Sequence, residues 1–220
     1  SFSNNTGQEI AAIFIGNSSH NLEITGNDGI NCLFDVNRLT IYENRLNNLL
    51  LSSPAGGTVV SNNTILGNIR LRSVRDTEIY DNQIGGGISI EDCDDVHIHH
   101  NVAYSQYYTY PSTGRGDVLF SYNTFLDHSI QEKRGDHPGF PYLNRFTLRN
   151  NIFAASHVGG IAFTYGYNGD SDYNCFWGFD SIFGDGSEIG EHDIIVNPKF
   201  NGGNPFDVSL QFDSELIDSG

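Results

Sequence analysis

Positive charge is what this sequence has least of: 11 Lys and Arg stand against 27 Asp and Glu, a net charge of −16 over 220 residues. Such a chain repels a phosphate backbone, which argues against nucleic acid as a partner. Apolar runs are short, and none reaches the length of a transmembrane span, so no membrane crossing is expected. No segment carries a helical apolar stripe, and the 25 glycines mark turns rather than helix interiors. Neither an initiator Met nor a signal peptide opens the chain. It begins inside a repeat phrase at Ser1-Phe2-Ser3-Asn4-Asn5 and stops at Asp218-Ser219-Gly220, so a processed or excised fragment is expected.

What the sequence does have is repetition. Asp-Thr-Glu-Ile-Tyr-Asp-Asn, ending at Asn82, returns nineteen residues later as Asp-Val-His-Ile-His-His-Asn, ending at Asn101. The phrase recurs with its asparagine at Asn5, Asn27, Asn44, Asn63, Asn82, Asn101, Asn123, Asn151 and Asn174. Apolar residues alternate within each unit, the two-residue period of a strand with one buried face. Units without insertion align as Asn31, Leu33, Val36, Leu39 and Ile41; Ile69, Leu71, Val74, Thr77 and Ile79; and Ile88, Ile90, Cys93, Val96 and Ile98. Each reads as strand, bend, strand, Asn turn and short strand.

A unit of about twenty residues cannot bury its apolar side alone. Coils must therefore stack, at about 4.8 Å per coil, to close a continuous core. Stacking places every turn asparagine over the next, where it is expected to take a left-handed conformation and to bond amide to amide along the stack. Cys93 takes the inward position of Val36 and Val74, whereas Cys32 falls on the opposite phase of its strand. Cys32 and Cys93 are then about 14 Å apart, with Cys175 farther still, so three free thiols are expected.

The Asn-x-Ile or Asn-x-Phe turns (NQI, NIF, NTF), the upstream I-x-x-N and the downstream G-I-x-I resemble the repeats of right-handed parallel β-helix proteins, the pectin lyase-like superfamily. The resemblance covers residues 1–178, and the segment HDIIVNPKF with FDVSLQFDSELIDSG is similar to the C-terminal cap of many secreted members. It implies an all-β solenoid of about nine coils with three parallel sheets, coils over 1–178 and a cap over 179–220. It also implies a secreted or cell-surface location. The superfamily holds lyases, hydrolases, epimerases, tailspikes and adhesins, so the resemblance speaks to fold more than to activity.

In the β-helices this chain resembles, carbohydrate lies across the G-I-x-I strand. The outer phase of that strand carries Phe14, Cys32 and Phe34, Leu50 and Ser52, Arg70 and Arg72, Ser89 and Glu91, then Gln131 and Lys133. Nearby inserts, 103–117 and 131–142, add Tyr107, Tyr108, Tyr110, Arg115, Arg134 and His137. Arginine grips a carboxylate through two parallel hydrogen bonds, and tyrosine offers a face to a sugar ring. An acidic polysaccharide is thus the expected partner. For β-elimination, Lys133 or His137 serves as base and Arg72 or Arg70 as neutraliser, with a tyrosine as acid. Glu91, Tyr107, Tyr108, Arg115 and Arg134 complete the substrate-binding set.

Two other readings stand beside this one: ordinary exposed ion pairs on a non-catalytic stalk or adhesin, and a glycoside hydrolase with carboxylates from different coils, such as Glu91 with Glu132 or Asp136. Calcium is the one cofactor candidate, at Asp92, Asp94 and Asp95 in EDCDD. His97, His99 and His100 in VHIHHN lack a further ligand in sequence and read as solvated side chains rather than a metal site. The oligomeric state is not legible.

Overall fold

The computed structural model describes residues 2–3, 13–15, 20–34, 37–52, 56–91, 93–104, 108–109, 117–126, 145–155, 161–163, 170–183, 188–202 and 207–217. They form an all-β parallel solenoid without a helix. One sheet stacks nine strands, among them Asn37–Tyr42, Thr58–Ser61, Arg75–Tyr80, Asp94–His99, Asp117–Ser121 and Arg145–Arg149. A thirteen-stranded sheet takes the short strands after the Asn turn together with the strands beyond the next bend. A two-stranded sheet pairs Ile161–Phe163 with Ser181–Phe183.

Three sheets are present, but not as three walls of equal height. The strand Arg45–Ser52 runs unbroken through the bend and pairs with both Thr64–Ile65 and Ile69–Arg72, which fuses two walls into one sheet. About six turns are regular, not nine. The remaining rungs add short strands to the ends of the stack, such as Phe2–Ser3 and Asp170–Asp172.

Like sits on like inside the coil, as alternation requires. Ile41, Val60, Ile79, Ile98, Phe120 and Leu148 form one buried column in register, and Leu46, Ile65, Ile84, Ala103, Phe125, Phe153 and Phe176 another. Phe125, Phe153 and Phe176 stack with centroids 5.0 and 5.2 Å apart. These parallel faces follow from strand spacing, because identical rings one coil apart meet offset and flat. Cys93 is fully buried beside Val74, as its inward phase requires.

The asparagine ladder bonds amide to amide as expected, but the left-handed corner falls on another residue. Each asparagine's Oδ1 accepts from both the backbone N–H and the Nδ2–H of the asparagine one coil earlier. The distances are 2.9–3.0 Å from the pair Asn27 and Asn44 to the pair Asn151 and Asn174. The left-handed residue is not the asparagine but the one before it: Glu43, Asn62, Asp81, His100, Tyr122, Asn150 and Tyr173 all have φ of 53–57°. That residue turns the corner, which swings the next side chain into the core. Asn5 lies outside the described residues.

Asp193 closes the ladder below Asn174, accepting from its backbone N–H at 2.7 Å and its Nδ2 at 2.9 Å. A final rung has no rung below to donate to, so a carboxylate replaces the amide. Its second oxygen accepts from the Gly190 N–H at 2.7 Å and from the Ser171 hydroxyl. The strand Ile194–Ile195 then pairs with Cys175–Trp177, carrying the sheet beyond residue 178.

A second, shorter ladder lies at another bend. Asn48 Oδ1 accepts from the Asn68 N–H, and Asn68 Oδ1 from the Gly87 N–H, both at 2.9 Å.

The alignment of the first unit is corrected. By backbone register Cys32 pairs with Leu49, and Leu49 with Ile69, so the expected alignment of Asn31 with Ile69 is off by one residue. Cys93 and Cys175 are free thiols.

Candidate functional site

Arg70 and Arg72 lie on alternate residues of the strand Ile69–Arg72, whose partners Ile69 and Leu71 are fully buried, so both guanidiniums face out. Register places Ser89 beside Arg70 and Glu91 beside Arg72 in the next coil. Glu91 bridges both: Oε2 lies 3.2 Å from an Arg70 Nη and Oε1 lies 3.5 Å from Arg72 Nε. With Arg70 and Arg72 at 49% and 60% exposure, each pair adds about 0–1 kcal/mol to stability. The cluster's importance is its charge: two guanidiniums share one carboxylate. Tyr108 follows on the same sheet, its backbone paired with Ser89.

Of the other candidates, Tyr107, Tyr110, Arg115, Lys133, Arg134 and His137 lie outside the described residues, as do Asp92 and the carboxylates Glu132 and Asp136. Asp94 and Asp95 are exposed at the start of the strand Asp94–His99, with Asp95 left-handed at φ 55°.

The nine-stranded sheet carries an arrangement that sequence reading dismissed. Along its outer face the strands Arg75–Tyr80 and Asp94–His99 pair Glu78 with His97 and Tyr80 with His99. His99 Nε2 lies 3.1 Å from Glu78 Oε1, and His99 Nδ1 lies 2.8 Å from His100 Nδ1. His97 Nε2 meets the Ser121 hydroxyl at 2.8 Å. The rings are held as a stack, Tyr80 on His99 at 5.0 Å and 7°, and His97 against His99 at 4.3 Å. Burial, and then the neighbouring His99, push the His97 imidazole below its ordinary value, although Glu78 pulls the other way.

Beside this cluster runs an open groove of about 890 Å³ across five coils, lined by Val59, Asp76, Glu78, Asp95, Asp117 and Thr147, with His97 in its floor. Asp76 and Asp95 occupy left-handed corners, which brings their carboxylates to the groove edge. Among the described residues, Glu78, His97 and His99 are the one set of three metal-binding side chains whose ligand atoms all lie within 4.8 Å of one another. The sequence signal was present: Glu78 and His97 are nineteen residues apart, one repeat, so the missing ligand of VHIHHN stood in the previous coil.

No protein-family model, no curated protein and no solved structure matches the chain. The fold therefore defines its class, a parallel β-solenoid.

Proposed function

We propose that this solenoid is a secreted, carbohydrate-active protein of the pectin lyase-like type that holds an acidic polysaccharide across its thirteen-stranded sheet. The observation that carries this reading is the outward pair Arg70 and Arg72, with Glu91 shared between them. In a chain with so few cations, two outward guanidiniums on alternate residues of one strand suit a uronate carboxylate, which arginine holds through two parallel hydrogen bonds. An incoming uronate exchanges with Glu91 rather than meeting a bare cation, so affinity per sugar is modest and several coils must engage together.

The test is twofold. Titration with polygalacturonate and with neutral dextran should show binding to the first only, and the double substitution R70A/R72A should weaken it at least tenfold. Mass spectrometry of soluble products then separates the activities: unsaturated uronate fragments mark a lyase, fragments with an added water a hydrolase. Equal binding of both polymers, or binding indifferent to the arginines, overturns the proposal.

One observation favours a second reading. The ladder runs without a break from Asn27 to Asp193, which gives a stiff rod suited to a stalk or adhesin. Polyuronate binding without any product supports that role on the same face.

A further inference from the structure

We propose that Glu78, His97 and His99 form a binding site for a divalent transition ion of the zinc type, on a different sheet from the arginines and independent of them. Three features of the cluster point to such an ion. The first is donor chemistry. Two imidazoles and one carboxylate suit zinc or cobalt, whereas calcium and magnesium take oxygen sets.

Spacing is the second. Zinc bonds of about 2.0–2.1 Å give a tetrahedron with an edge of about 3.3 Å. The distance of 3.1 Å between His99 Nε2 and Glu78 Oε1 already matches one edge. One ligand atom from each of Glu78, His97 and His99 lies within 4.8 Å of the other two. Because all three side chains stand on the outer face, small rotations about their side-chain bonds close the remaining gaps without disturbing the core.

The third feature is the support behind the ligands. A metal-bound imidazole needs a partner for its other nitrogen. His99 has one in His100 Nδ1 at 2.8 Å, and Tyr80 fixes the plane of its ring. Without the ion, the His99 Nε2–H donates to Glu78 and His99 Nδ1 accepts from His100. Binding needs the lone pair on His99 Nε2, so the proton moves to His99 Nδ1 and donates to His100 Nδ1, whose own proton sits on its other nitrogen. The His99–His100 hydrogen bond is kept with its direction reversed, and the His99–Glu78 hydrogen bond gives way to the two bonds to the ion. Ser121 likewise holds His97.

Three protein ligands leave a fourth position open, as in sites where zinc holds water or a substrate oxygen. The groove beside the cluster carries the carboxylates Asp76, Asp95 and Asp117, whose field gathers cations.

The experiment uses the full chain, freed of metal with a chelator and dialysed. Calorimetric titration with zinc chloride should give one equivalent bound, and cobalt should give the visible bands of a four-coordinate ion. E78Q and H97A should each weaken zinc binding at least about tenfold. D95N, in the groove but outside the ligand set, removes one charge of that field and should weaken binding far less than either ligand substitution. Unfolding midpoints without zinc control for folding, since none of these side chains is in the core. Absence of a stoichiometric site overturns the proposal. So does zinc binding that survives both E78Q and H97A, or that falls equally with D95N, which would reduce the site to general attraction of cations to an acidic groove.

Discussion

Replacing Asn82 by Ala tests the ladder at its centre. Asn82 is 1% exposed and its side chain takes part in five hydrogen bonds. Its Nδ2 donates to Asn101 Oδ1 at 2.9 Å, Val60 O at 3.0 Å and Tyr80 O at 2.8 Å. Its Oδ1 accepts from the Asn63 N–H and Asn63 Nδ2, both at 3.0 Å. Alanine leaves the Asn63 N–H buried without this acceptor, a loss of about 1–3 kcal/mol. Asn63 Nδ2 keeps Ile41 O and Ser61 O, and Tyr80 O keeps the Asn62 N–H, so those groups lose less. With a net of about 0.5–1.5 kcal/mol per remaining bond, not fully additive, the expected loss is about 3–5 kcal/mol. Asn82→Asp fills the same space but turns a carboxylate oxygen toward Asn101 Oδ1, Val60 O and Tyr80 O, and so should cost more than alanine. Urea unfolding followed by far-ultraviolet circular dichroism measures both. A loss below about 1 kcal/mol for Ala, or an Asp variant more stable than the Ala variant, would refute the view that directional amide bonding stabilises the turn.

The last rung should show the reverse preference: Asp193→Asn sets an amide N–H against the Gly190 N–H and should cost about 1–2 kcal/mol by the same unfolding assay. Gly85 approaches Leu66 O so closely that a Cβ would lie 2.3 Å from it, and Gly85→Ala should destabilise by about 2–3 kcal/mol, read as a lowered denaturation midpoint. Burial pushes the Cys175 thiol up to about 11, against the partial relief of its bond to Val196 O. At pH 8 only about one thiol in a thousand is then ionised, so Cys175 should resist alkylation in the folded protein and react on unfolding, as peptide mass mapping will show. Because the folded value is raised, the stability contributed by the buried neutral thiol is present below about 9, the ordinary value, and declines as pH rises toward 11.

The solenoid was legible because its evidence is periodic: inward columns such as Ile79 and Ile98, and the asparagines themselves, repeat with the coil. What escaped was whatever breaks the period or crosses coils. The one-residue offset of Asp28–Phe34 against Ile69–Arg72 depends on bend lengths that alternation does not encode. Which residue takes the left-handed corner depends on backbone geometry. Glu43 and Tyr122 have side chains that give no sign of it. Asp193 escaped because a ladder sought as asparagine ends one rung early. On the outer faces, Arg72 and Glu91 were placed together correctly, since both lie on the same strand phase. Glu78 was not joined to His97, although the repeat that stacks Ile79 on Ile98 stacks those two residues as well.

Amide hydrogen exchange with and without polygalacturonate tests the central claim most directly, because it reports which face the polymer covers. Slower exchange confined to Ile69–Arg72, Ile88–Glu91 and their neighbours on the thirteen-stranded sheet is the result the account predicts. Protection on Arg75–Tyr80 and Asp94–His99 instead would place the polymer in the acidic groove and contradict it.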